Sequence, residues 1–302
     1  MIRFSLRQLE YFVAAAQQGG TLQAARILNV SQPSVSHAIA GLESLWRVKL
    51  FVRLHAQGLL LTTEGKSRYQ QALTVLKHAQ DLADSQGQEL SGELSIGCFS
   101  TLGPMYFPSL MRAYQQQHPG VTIRMHEGDT ETLLTRIERD TLDLALIYDT
   151  GIFNRVQLHH MGQQSPYVVL PANHRLSKRR KLTVKDLHEE PFILINLKHS
   201  REYFLSIFNH ENVSPNIIAE TGSIEMLRAM VANGHGISIL VTRPSHNYSY
   251  DGKKIICTPL EGAFSPQKIV LASSGEHRLS FAGRAFVQTA QEFFSPQQQD
   301  ST

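Results

Sequence analysis

Between Ser5 and Leu45 the apolar residues fall into three short helical stripes separated by two strong breaks, and no other feature constrains the fold as much. Leu6, Leu9, Phe12, Val13 and Ala16 mark one face of a helix over residues 5–18. Gly19-Gly20 stops that helix, and Thr21 is placed to cap the next. In the second helix, Leu22 to Leu28, the residues Leu22, Ala25 and Leu28 share a side, and Ala24 is small enough for a close crossing. Asn29 ends it, Val30 plugs the turn, and Ser31 caps a third helix. Pro33 sits in that helix's first turn, where its missing N–H costs nothing. Val35, Ile39, Leu42 and Leu45 line the buried face. Two short helices joined by a tight turn predict a helix-turn-helix.

Lys49 to Arg53 then reads as a strand and Leu59 to Leu61 as its partner, across a turn ending at Gly58; this hairpin is a wing. The polar face of the third helix carries Gln32, Ser34, Ser36 and His37 near its N-terminus. Glutamine pairs with adenine edges, serine with either groove edge or a phosphate, and a helix N-terminus attracts phosphate. Charge points the same way. Residues 1–62 hold six basic side chains against two acids, whereas the remaining 240 hold 23 basic and 24 acidic groups. A basic head on a neutral body suits a polyanion partner for the head alone. On periodicity alone, a helical packing module with a solvated polar face stays open as the other reading.

The blocks Leu6-Arg7-Gln8-Leu9-Glu10-Tyr11-Phe12, Thr21-Leu22-Gln23-Ala24-Ala25-Arg26, Ser31-Gln32-Pro33-Ser34-Val35-Ser36, Leu50-Phe51-Val52-Arg53 and Leu61-Thr62-Thr63-Glu64-Gly65 resemble the winged helix-turn-helix of LysR-type transcriptional regulators, in the family's order and near its spacing. The resemblance implies a dimerising regulator of double-stranded DNA whose recognition helix begins near Ser31. Its expected DNA-binding residues are Thr21, Ser31, Gln32, Pro33, Ser34, Ser36, His37 and Arg53, with Gln32, Ser34, Ser36 and His37 toward bases and Arg53 toward phosphate. One departure concerns the wing turn, Leu54-His55-Ala56-Gln57-Gly58, which lacks the extra arginines of many relatives. Arg53 stands nearly alone there, and His55 adds charge only when protonated, so weaker wing binding is expected.

Thr62-Thr63-Glu64 opens a further helix that nothing breaks before Gly87. Tyr69, Leu73, Leu76, Ala79 or Gln80, and Ala83 recur at threes and fours, the seam of a two-stranded coil. A second copy of the chain is the simplest cover for it; packing on the chain's own head is the alternative. In the family this segment is the dimerisation helix, which implies a homodimer or a dimer of dimers. Residues 85–92 read as a hinge. The predicted boundaries are therefore 1–62, 63–92 and 93–302.

From Leu94 onward strands and helices alternate: Leu94–Cys98, Pro104–Gln117, Val121–Met125, Glu131–Asp140 and Leu142–Tyr148, then Phe192–Ile195, a helix around Tyr203–Phe208, Ile217–Ala219, Ser223–Ala232 and Gly236–Val241. This order predicts an α/β body of two Rossmann-like lobes, with parallel sheets covered by helices. Tyr167–Pro171 and Lys268–Ala272 read as the strands by which the chain passes between lobes, and a final helix spans Leu279–Phe294. The body resembles the effector domain of the same family, which has the fold of type II periplasmic binding proteins. Ligands in such sheets sit beyond the carboxyl ends of strands. Those ends are Cys98 with Ser100 and Thr101, Thr130, Asn196 with Ser200 and Arg201, Ser223, and Thr242 with Arg243. Hydroxyls at helix starts plus arginines suit a carboxylate or another small anion, although helix capping explains each hydroxyl equally well.

Cys98 at the predicted cleft mouth raises a thiol-based redox switch as the alternative trigger; Cys257, in Ile255-Ile256-Cys257, reads as a buried hydrophobe. His159-His160, adjacent on a strand, point to opposite faces, and no metal or cofactor is expected. No Gly-rich phosphate loop, nucleophile elbow or paired acids point to an enzyme. Two cysteines, no signal-like start and no apolar run near the roughly 18 residues of a membrane span predict a cytoplasmic protein without a membrane partner. The expected function is transcription regulation under a small-molecule effector bound between the lobes, with the transcription machinery as a further partner.

Overall fold

The computed structural model describes residues 2–54, 58–83, 90–151, 156–275 and 279–295. Two compact units are present: Met1–Glu89 with the turn Arg139–Thr141, and Leu90–Glu138 with Leu142–Thr302.

The first unit contains α1 (Leu6–Gln18), α2 (Thr21–Ile27), α3 (Gln32–Trp46), β1 (Phe51–Leu54), β2 (Gly58–Leu61) and α4 (Thr63–Ala83). A reciprocal cap starts α1: Ser5 Oγ accepts from the Gln8 amide at 3.2 Å, and Gln8 Oε1 accepts from the Ser5 amide at 2.9 Å. Gly19, with φ +65°, ends it in the left-handed conformation that glycine adopts without strain. Thr21 is the first residue of α2 and not its cap; Gly20 takes the cap position and no side chain closes it. Phe12 is the centre of the core, meeting Trp46, Phe51 and Tyr69 edge-on at 5.6–6.4 Å. Leu6, Leu22 and Leu45, assigned to buried faces by periodicity, lie at helix ends and stay exposed; Trp46 fills the space instead.

The hairpin pairs Phe51 with Leu61 and Leu54 with Gly58. Its return strand docks on the end of α1, where the Leu59 amide donates to Gly19 O at 2.8 Å. A Cβ on Gly58 would come within 2.4 Å of that carbonyl, so the contact requires glycine. Thr62 then caps α4: its hydroxyl accepts from the Gly65 amide and donates to Lys49 O. Tyr69, Ala72, Leu73 and Leu76 of α4 pack on the head's core, so three of the five predicted seam positions are covered by the chain itself. Among the described residues of this helix the exposed large apolar side chains are Val75 and Leu82.

The second unit has two lobes. The first holds β3 (Gly92–Phe99), α5 (Gly103–Gln117), β4 (Val121–Gly128), α6 (Thr130–Glu138), β5 (Leu144–Tyr148), β6 (Gln157–Gln164), β13 (Gln267–Ser273) and α9 (Phe281–Phe294). Its strand order is β4-β3-β5-β13-β6; β3 runs parallel to β4 and β5, and β13 antiparallel to β5 and β6. The second lobe holds β7 (Tyr167–Pro171), β8 (Leu182–Thr183), β9 (Pro191–Ile195), α7 (Ser200–His210), β10 (Asn216–Thr221), α8 (Ile224–Ala232), β11 (Ser238–Leu240) and β12 (Ile255–Glu261). Here β10 and β9 pair in parallel, a Phe192–Ile237 bridge joins them to β11, and the order continues β11-β7-β12-β8. The chain crosses between lobes at β6 to β7 and again at β12 to β13. Tyr167–Pro171 and Lys268–Ala272 thus belong to the strands just past each crossing.

The sheet of the first lobe is clasped by α5 and α9, where the buried Tyr114 hydroxyl donates to Ala282 O at 2.9 Å. On α9 the packed face is Ala282, Phe286, Ala290 and Phe294, while Phe281 is turned outward under Arg284. Among the described residues no helix is long and apolar enough to cross a membrane, and no three metal-ligating side chains cluster.

Candidate DNA interface and ligand cavity

The N-terminal turn of α3 is presented to solvent by its own cap. Ser31 takes extended backbone, its Oγ accepting from the Ser34 amide at 3.3 Å and lying 2.7 Å from Ser34 Oγ. Ser31, Gln32, Pro33, Ser34 and His37 are exposed; Thr21 and Ser36 are half-buried. Gln32 Nε2 donates to Thr21 Oγ1 at 3.3 Å, so a residue of α2 braces the most capable base-reading side chain of α3. Seven of the eight expected DNA residues thus lie at the start of α2, at the cap of α3 or in its first two turns, and none of them is buried. Arg53 lies on β1, its side chain outside the described part, and His55 lies outside the described residues. Periodicity alone did not single out two further exposed cations: Arg26 in the last turn of α2, and Arg47, which ends α3 with φ +55°.

Glu43 locks α3 to the hairpin. Its carboxylate accepts from the Leu50 amide at 2.8 Å and from Lys49 Nζ at 2.9 Å. Burial pushes its carboxyl up, but these bonds outweigh it and hold the group below its ordinary value of 4.5.

In the second unit a cavity of about 340 Å³, its open mouth included, lies between the lobes. Thr101, Tyr148 and Gln267 line it from the first lobe, and Ser200, Tyr203 and Thr242 from the second, with Leu197, Phe204 and Ile224 as apolar wall. Thr101 follows β3, Tyr148 ends β5, Ser200 opens α7, and Thr242 follows β11, so the cavity sits at strand ends as the fold requires. Tyr148 is buried; its hydroxyl lies 2.6 Å from Thr242 Oγ1 and donates to Gln164 Oε1 at 2.8 Å. Burial pushes the Tyr203 hydroxyl up to about 12, and Tyr148 is raised further by the same cause. Both are neutral donors at physiological pH. His199 precedes α7 with φ +66° and offers the helix no side-chain cap; the Ser200 and Arg201 amides donate instead to Leu197 O at 3.0 and 3.1 Å. Beside the cavity Lys198 pairs with Glu131 of α6, a tie from lobe to lobe.

Of the ten residues expected to bind an effector, Thr101, Ser200 and Thr242 line this cavity. The others are spent elsewhere. Thr130 is buried at the start of α6, whose first turn is closed by Asp129. Ser223 caps α8 through the Met226 amide, and Asn196 is exposed. Arg201 pairs with Glu220 at 3.0 Å on the surface, and Arg243 lines a neighbouring groove. Ser100 does not reach the lining.

Cys98 is no cleft thiol: it is 1% exposed, and burial followed by the Glu127 charge lifts it to about 11. Its Sγ lies beneath Gly103, where even a Cβ would approach within 2.9 Å. Cys257, on β12 of the other lobe, is half-buried and also pushed up by burial. The cavity residues not anticipated, Tyr148, Tyr203 and Gln267, stand on or beside apolar strands and helices, where periodicity assigns them to the core.

Comparison with known proteins follows this division. Residues 6–66 match the family described as "Bacterial regulatory helix-turn-helix protein, lysR family", and residues 87–295 match "LysR substrate binding domain". An uncharacterised HTH-type transcriptional regulator, YvbU of Bacillus subtilis, is 28% identical over 96% of this chain and 99% of its own. The DNA-binding transcriptional dual regulator OxyR of Escherichia coli is 30% identical over 78% of each chain. Among solved structures, HinK, a LysR family transcriptional regulator from Pseudomonas aeruginosa, superposes with a TM-score of 0.65 at 35% identity, covering 96% of this chain and 98% of that one. With both halves matched in order, the chain belongs to the LysR family of DNA-binding transcriptional regulators.

Proposed function

We propose that the chain binds operator DNA through the N-terminal face of α3 and is controlled by a small organic effector held in the inter-lobe cavity. The observation that carries the effector reading is the meeting of Thr101, Tyr148 and Gln267 of one lobe with Ser200, Tyr203 and Thr242 of the other around a single space. A ligand touching both sets has different contacts in open and closed lobes, and that difference is what lets binding shift a conformational equilibrium. Its chemistry follows from the lining. A carboxylate, or a head that hydrogen-bonds as one does, meets the hydroxyls of Thr101, Ser200, Tyr203 and Thr242; an apolar body meets Leu197, Phe204 and Ile224. Among the described residues no guanidinium lines the cavity, since Arg201 pairs with Glu220 and Arg243 lies in the neighbouring groove.

The likeness to OxyR does not bring a thiol switch with it, since the two sulfurs lie in different lobes and both are protonated at neutral pH. On the DNA side, support comes from the exposed Gln32, Ser34 and His37 and from the basic balance of residues 1–62. A second copy of the chain is proposed to pair along α4, in a cytoplasmic dimer that presents two heads to a pseudo-palindrome.

The test is thermal: a panel of small carboxylic acids is screened against the full chain for a rise in Tm. At about 100 times its Kd a true effector adds about 2.7 kcal/mol to the unit that binds it. Thr242→Val removes one hydroxyl from the cavity at nearly constant shape and is expected to cut the shift at least by half. A shift unchanged by Thr242→Val and by Tyr148→Phe places the ligand elsewhere and defeats the reading.

A further inference from the structure

A second hollow adjoins the inter-lobe cavity, with Val241 lining both. It is an open groove of about 2170 Å³, its open side included, running along β6, the first crossing and the end of β12. Its floor is apolar, from the buried Met161, Ile269 and Phe294. Arg243 stands on its wall, the guanidinium 5.7 Å from the centroid of the Tyr167 ring. That contact uses none of the cation's N–H donors, and among the described residues no hydrogen-bond acceptor or carboxylate pairs with it. The groove's other full charges, Lys181 and Glu261, neutralise each other at 2.5 Å, and His160 is the remaining titratable imidazole. The net electrostatic feature is therefore one exposed guanidinium, without an ion-pair partner among the described residues, beside an apolar floor.

We infer that this groove is a second ligand site, for a small organic monoanion with a flat apolar body. The guanidinium supplies a planar fork for a carboxylate or sulfonate, and the floor buries the body. The site is wired to the first cavity. Thr242 Oγ1 meets the Tyr148 hydroxyl, that hydroxyl donates to Gln164 Oε1, and Gln164 Nε2 donates to the Tyr106 hydroxyl at 2.6 Å. Gln164 and Tyr106 line the groove, while Thr242 and Tyr148 line the cavity. In this chain Thr242 donates toward Tyr148, and the Tyr106 oxygen accepts from Gln164, so the Tyr106 proton takes no part in it.

The probe is 8-anilinonaphthalene-1-sulfonate, an aromatic monoanion whose emission rises on leaving water, titrated into the full-length chain beside its uncharged relative N-phenyl-1-naphthylamine. Saturable sulfonate binding is expected, weakened about tenfold by Arg243→Gln and restored to within about threefold by Arg243→Lys, with the uncharged probe unaffected. Far-ultraviolet circular dichroism of each variant confirms the fold. Sulfonate affinity unchanged in Arg243→Gln, or an equal loss of both probes, overturns the inference. Neither result bears on the carboxylic-acid screen, which reads the other cavity through Thr242.

Discussion

Single residues decide more here than their number suggests, and Glu43 is the clearest case. Its carboxylate is mostly buried and ties the end of α3 to both the Lys49 ammonium and the Leu50 amide, which fixes the angle between recognition helix and wing. Removing the charge leaves a buried amide donor without its acceptor, at about 1–3 kcal/mol. Glu43→Ala is expected to lower the stability of the head by that amount in urea titrations followed by the fluorescence of Trp46, the sole tryptophan. The sign with pH follows from the depressed carboxyl. Its contribution is fully present above 4.5 and lost as pH falls through the lower folded value. The wild type is therefore expected to converge on the variant on acidification. A constant gap from pH 7 to pH 3 contradicts this role.

The same scale shows why sequence located some site residues and missed others. Gln32 and His37 were legible because a helical stripe divides a helix into inside and outside, and polar residues near a capped N-terminus fall outside. Tyr148 was not, because it completes the apolar strand Leu144–Tyr148, every residue of which is buried. Its hydroxyl acquires a role only from Thr242 and Gln164, far along the chain. Arg201 misled for the reverse reason: its partner, Glu220, arrives from β10 through parallel pairing with β9, which no local pattern announces.

At the scale of elements, the helices and the alternation of strands were legible, while registers and faces were not. Strand β6, Gln-Leu-His-His-Met-Gly-Gln-Gln, carries too few apolar residues for a period to show, yet it forms the edge of the first lobe beside β13. Helix α4 is the more consequential difference. The stripe Tyr69, Leu73 and Leu76 was expected to face a second chain, but the head's own core takes it, because Phe12 needs an aromatic neighbour and Tyr69 supplies one at 6.3 Å. What remains for a partner is the exposed row of Val75 and Leu82, spaced one heptad apart, with Leu82 89% exposed. Leu82→Asp with Val75→Asp is expected to halve the mass in light scattering, toward the 33.9 kDa of a single chain, without loss of helical signal. A dimer that survives both charges assigns the seam elsewhere.

At the scale of the whole molecule, labour is proposed to divide between two units: one presents α3 to DNA, and the other holds two lobes around a small space. In the second unit the tie between Lys198 and Glu131 and the hydroxyl chain from Thr242 to Tyr106 both sit where lobes meet, so ligand chemistry and lobe position are physically joined. The most exposed claim, however, is that α3 reads bases. The direct measurement is anisotropy of the full chain at about 150 mM salt on two duplexes: one selected by the protein from a random library, and one of the same composition scrambled. The wild type is expected to prefer the selected duplex by a factor of about 1000 or more. Gln32→Ala is expected to reduce that ratio 10- to 100-fold by weakening the selected duplex, while leaving binding to the scrambled one nearly unchanged. A ratio that Gln32→Ala and His37→Ala both leave intact contradicts the account.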